Sequence, residues 1–166
     1  MAELTNLQSK LGEVVGLAMA AQDATQKVIK LAREDDAKDL VSTLERMQQE
    51  AKEAEERGTE VADSFNGKKT AILEEARDVK RKATEMMKTY LDQASDALDG
   101  FEFLTMAEAG EVGHWEILGT LNERAGNAEV RQFVDWGLPI QRRHLEDTRR
   151  GSLELAAEED PNETSS

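Results

Sequence analysis

An apolar stripe that returns every third or fourth residue, over and over along the chain, constrains this sequence more than any other feature. It runs from Leu4 through Leu7, Leu11, Val14, Ala18, Ala21, Thr25 and Val28 to Ala32. Residues at that spacing share one side of an α-helix. A second stripe follows Asp35 and Asp36, acids suited to a helix start, and runs Ala37, Leu40, Leu44, Met47, Ala51, Ala54, Gly58, Val61, Phe65. The short link near 33–36 predicts an antiparallel pair. A third stripe, Ile72, Ala76, Val79, Ala83, Met86, Tyr90, Ala94, Ala97, lies between Asn66-Gly67 and Asp99-Gly100, both read as turn signals. A fourth helix ends at Gly126-Asn127, a sequence suited to a left-handed cap. The fifth contains Pro139, which predicts a kink or break. No segment alternates with period two, so no strand is predicted. The expected fold is all-α: a bundle of five long helices over about 4–33, 36–65, 69–98, 102–125 and 128–157. They form one domain, 1–158, followed by a disordered acidic tail, 159–166.

Charge narrows the function classes. There are 35 acidic and 21 basic residues, a formal net charge of −14. A nucleic-acid binder needs a basic footprint, and an anionic membrane repels an acidic face, so neither partner is expected. The chain has no cysteine, which excludes disulfides and thiolate chemistry. No stretch approaches the roughly 20 apolar residues that span a bilayer, and residues 1–10 lack a signal-sequence pattern, so a cytoplasmic location is the default. The Ala-rich first helices carry more apolar face than a thin monomer needs, which predicts a homodimer.

Beyond residue 100 the chain changes character. Both histidines, both tryptophans and three of the four phenylalanines lie there, and no lysine does. Continuing the stripe along the fourth helix gives Leu104, Ala107, Glu111, His114, Leu118, Leu121, Ala125, which places Glu111 and His114 at consecutive inward positions. Gln141 and His144 repeat the spacing on the fifth helix, and antiparallel packing would bring the two histidines to similar depth. A buried carboxylate without a partner is costly, and a divalent cation relieves that cost by taking carboxylate and imidazole as ligands. Glu111, His114 and His144, with Gln141 as a fourth ligand, are the candidate metal residues, for iron or manganese. The competing reading is a buried hydrogen-bonded pair with no metal. Trp115 and Trp136 read as core or interface anchors, Glu116 and the run Glu50–Glu56 as solvated acids, and Arg143 as a helical-spacing partner of Asp147. No phosphate-binding loop or nucleophile elbow is present, so no catalytic or organic-cofactor residue is assigned.

The stretches SDALDGFEFLTMAEAGEVGHWEILGTL and AGNAEVRQFVDWGLPIQRRHLEDTRRGSLELA carry a resemblance. From about 94 to 159 the chain resembles the small stress-associated YciE/YciF-type proteins of the ferritin-like superfamily. The resemblance implies a bundle of long helices, usually dimeric, with an inward carboxylate/histidine site. Here that site is degenerate: Gly113 stands where the family has an acid before the histidine, and no histidine precedes residue 114. The expected function is a ferritin-like, stress-associated bundle protein with a reduced or vestigial metal site. Any activity would be metal-dependent oxidase or peroxide chemistry. The alternative is a non-catalytic helical scaffold that binds a protein partner and uses the Glu/His pair structurally.

Overall fold

The structure, a computed structural model, describes residues 3–164. It contains five helices: α1 Asn6–Glu34, α2 Lys38–Ser64, α3 Lys69–Leu91, α4 Ala97–Ala125 and α5 Ala128–Ala157. No strand occurs among the described residues. The caps explain the boundaries. Thr5 and Gln8 form a reciprocal capping box at the start of α1. Asn127 accepts a hydrogen bond from the Val130 N–H, while Gly126 closes α4 at φ 66°.

Three local expectations are corrected. Asp99-Gly100 does not stop a helix. The third helix ends at Leu91, and Asp96 caps a new one by accepting from the Asp99 N–H. Gly100 then lies in the first turn of α4, where its missing Cβ lets Val28 approach. Pro139 does not break α5, which runs on to Ala157. Of the two expected outcomes, the break is therefore not realised. On α3 the apolar stripe changes register: Met87 and Leu91 are buried, while Met86 and Tyr90 are exposed. Residues 158–164 follow α5 as turns, and the last two residues of the tail, with the first two of the chain, lie outside the described residues.

Side-chain pairs set the topology. Arg33–Glu45 and Gln22–Glu55 run α1 and α2 antiparallel. Thr105–Ser152 and Arg142–Glu116 do the same for α4 and α5. Arg46–Asp147 joins α2 to α5, and His114–Glu13 joins α4 to α1. The helices α1, α2, α5 and α4 therefore close a four-membered ring of two antiparallel hairpins. The remaining helix, α3, is the crossover between the hairpins and lies parallel along the outside of α1.

The seam between α1 and α3 depends on two glycines. A Cβ on Gly12 would come 2.8 Å from the Ile72 carbonyl oxygen, and one on Gly16 would collide with the Ala76 carbonyl. Their absence lets Ile72 and Ala76 sink completely against α1. Part of the apolar face of α1 is thus covered by α3 within the chain.

Inside the ring the apolar core forms two clusters. One holds Leu11, Val15, Trp115, Leu118 and Phe133. The other holds Val28, Ile29, Met47, Phe101 and Leu104. Aromatic rings sit in glycine seats: Trp115 against Gly137, Phe101 against Gly151, Phe133 against Gly58. Replacing Gly16 with alanine is expected to lower stability by about 1–3 kcal/mol through overpacking, even though alanine is the better helix former. At Gly113 a Cβ meets nothing within 4 Å, so Gly113→Ala should raise stability by about 0.5–1 kcal/mol. Urea denaturation of the two variants measures both.

Candidate functional site

Between the two apolar clusters lies a layer of buried polar side chains. The stripe of α4 that faces inward is Leu104, Glu108, Glu111, Trp115, Leu118, one residue out of step with the stripe read from sequence at two positions. Glu108 replaces Ala107 inside, and Trp115 replaces His114. On α5, Gln141, His144 and Thr148 face the same layer. From α2 comes Glu50, whose side chain keeps 16% of its exposure.

The contacts form one connected network. The Gln141 amide donates a hydrogen bond to Glu108. His144 lies between two carboxylates, with Nε2 3.3 Å from Glu50 Oε1 and Nδ1 3.7 Å from Glu108 Oε2. The Arg143 guanidinium donates to Glu50, and Arg46 joins Glu50 at 3.4 Å to Asp147. The Thr148 hydroxyl donates to the His144 carbonyl at 3.1 Å. Arg143 is therefore the partner of Glu50 and not of Asp147.

Electrostatics follows from this arrangement. Burial alone would lower the His144 pKa, but the Glu108 and Glu50 carboxylates overcome it and raise the pKa above its ordinary value. Burial works to raise Glu50, yet Arg143 and His144 hold it below the usual carboxylate value. Glu111 behaves in the opposite way. Burial, with the Glu108 charge beside it, pushes Glu111 well up, and its carboxyl has no hydrogen-bond or ion-pair partner among the described residues.

Four residues were expected to share a metal. Glu111, Gln141 and His144 do lie in one layer. His144 is 4% exposed. His114 is elsewhere. Its side chain is 36% exposed, and its Nδ1 lies 3.3 Å from Glu13 and 3.2 Å from Lys10 on α1. Burial and the Lys10 charge lower its pKa, against the pull of Glu13. Glu108 sits level with His144, and His114 lies six positions further along α4, roughly 9 Å away along the axis. Glu116 is exposed and pairs with Arg142 at 3.6 Å. Trp115 is buried against Phe133, while Trp136 lies under the Arg57 guanidinium at 4.3 Å.

This donor set does not fit an iron or manganese centre. The two nitrogens of His144 point to different carboxylates, the second histidine is on another face, and Gln141 presents its amide N–H to Glu108. Among the described residues, no three His, Asp or Glu side chains converge as a cation cage. What the arrangement does is balance charge. His144, whose pKa the two carboxylates raise, stands between them and when protonated plays the role a cation would otherwise play.

Two members of the layer were not legible beforehand. Glu108 carries the signal, since Leu104, Glu108, Glu111, Trp115 and Leu118 alternate spacings of four and three. Glu50 carries none, because it opens an acidic run, with Glu53, Glu55 and Glu56, whose members look alike in sequence. No family model matches the chain, and no curated protein or solved structure matches it.

The pKa shifts fix the sign of the pH dependence. His144 is raised in the folded state, so its contribution is complete below about pH 6.5 and is lost as pH rises through the folded value. Glu111 is also raised, so its contribution is complete below about pH 4.5 and declines above it. At pH 7–8 Glu111→Gln should therefore stabilise the fold by about 1–3 kcal/mol, a gain that fades toward pH 4.5. His144→Gln should flatten the fall in stability above pH 6.5. Thermal midpoints of wild type and variants across pH 4–9 check both.

Proposed function

We propose that this chain is a ferritin-like bundle protein whose inward site is reduced to a metal-independent ion-paired layer. It belongs, on this reading, to the stress-associated kind that residues 94–159 resemble. The observation that carries it is His144 held between Glu50 and Glu108, an imidazolium in the place of a cation. Two features of the fold support the ferritin-like part. Two antiparallel hairpins are joined by one long crossover, α3, a connection found in ferritin-like bundles. The inward residues of α4 and α5 come in pairs three apart, Glu108/Glu111 and Gln141/His144, the spacing at which such bundles project their ligands.

Under this reading the protein does not turn over oxygen or peroxide. A di-metal centre needs about four carboxylates and two histidines facing inward, and this layer offers three carboxylates and one histidine. The protein acts by binding, which keeps it close to the scaffold reading while giving the Glu/His layer a definite structural task.

Elemental mass spectrometry on protein purified without chelator tests the reading. The expected result is no stoichiometric transition metal, no uptake of added iron, manganese or zinc, and a thermal midpoint unchanged by chelator. A stoichiometric metal that disappears in His144→Ala would overturn it.

A further inference from the structure

A groove of about 340 Å³ opens between α1, α3 and α4, on the side of the bundle where α3 leans away from α4. Its walls are apolar: Leu17 and Ala21 from α1, Val79 and Met86 from α3, Phe103 and Met106 from α4. Its volume falls within the range of small-molecule sites, about 300–1,000 Å³. Three ionisable side chains break the apolar lining: Glu111, His114 and, at the rim, Lys82. Glu111 lines both this groove and the interior layer, is 93% buried, and makes no hydrogen bond or ion pair among the described residues. No fully enclosed side-chain oxygen or nitrogen of the described residues lacks a partner. The unbonded Glu111 carboxyl therefore keeps a little solvent contact, and Glu111 borders both the groove and the interior layer.

We propose that this groove binds a small amphiphilic amine, free in solution, with its tail along the apolar walls and its cationic head on the Glu111 carboxylate. A buried acid without a partner is the group a cationic head would satisfy. The charge around it selects the sign. Glu108 stands beside Glu111 on α4, Glu50 faces the layer from α2, and Glu13 lies behind His114 on α1. The cations nearby are paired or solvated: His144 is held by Glu50 and Glu108, Lys10 by Glu13, and Lys82 at the rim of the groove is exposed. The net charge of −14 adds a long-range attraction for cations. The proposal does not depend on the state of the ion-paired layer, since Glu111 is the member that the layer leaves unbonded.

Isothermal titration with decylamine, decanol and decanoate at pH 7 tests it. Decylamine, cationic at this pH, should bind once per chain and about tenfold or more tighter than decanoate. Glu111→Gln should weaken decylamine by about tenfold and leave decanol unchanged. Gly110→Phe supplies a second variant. Gly110 lines the groove, and a Cβ there meets nothing within 4 Å, so a larger side chain starts in open space at the groove and not in the core. This variant should abolish binding of all three probes, with its helical circular dichroism intact. Equal or tighter binding of decanoate, or an unchanged decylamine affinity in Glu111→Gln, overturns the proposal. So does a failure of all three to bind wild type, and a dimer in sedimentation would then mark the groove as covered by a second copy.

Discussion

The structure is organised around a charge placed where charge is expensive. His144 sits inside the bundle with a carboxylate on each ring nitrogen, and the apolar core divides on either side of that layer. Helix α2 supplies one carboxylate, α4 the other, and α5 the imidazole. Sliding any of the three by a turn would leave a buried ion without its partner, at a cost of several kcal/mol. Apolar packing of alanine-rich helices is tolerant of such slips, because one small side chain resembles the next. The polar layer therefore penalises slips in register that the apolar stripes would tolerate.

The second constraint is proximity. An alanine-rich bundle has few large side chains, so it fills space by bringing helices close. At Gly12 and Gly16 the backbone of α3 itself takes the room of the missing Cβ. Inside the ring the solution is inverted, with large rings set against glycine at Gly58, Gly137 and Gly151. Trp115 belongs to both systems. It rests on Gly137, packs on Phe133 at 4.6 Å, and borders the polar layer next to Glu111. The layer thus has an apolar floor, which lowers the local dielectric beneath its ion pairs.

The helices themselves were legible in the sequence. Four of the five boundaries at their starts fall within two residues of the stripe reading, because caps and periodicity point the same way at Thr5, Asn127 and Gly126. The exception is α4, where Asp96 and Asp99 act as a cap pair rather than a stop. A Gly after an Asp reads as a turn unless the partner across the bundle is known, and Val28 is that partner. The site was half legible. Glu111, Gln141 and His144 share a layer, but on α4 the inward face passes through Glu108 and Trp115 instead of Ala107 and His114. Where a stripe mixes small and polar residues, two helix faces differ little in apolarity, and only the neighbouring helices decide between them. The role of Glu50 depends on α5 arriving opposite it, which nothing local to α2 encodes.

The crossover has a geometric result of its own. Because α3 returns the chain to the end where α1 finishes, α4 descends and α5 ascends parallel to α1. An odd number of long helices then places Thr5 and Ala157 at opposite ends of the bundle. With helices of 29 and 30 residues, those ends stand roughly 45 Å apart. The two ends of the bundle therefore face away from each other, separated by the full length of its helices.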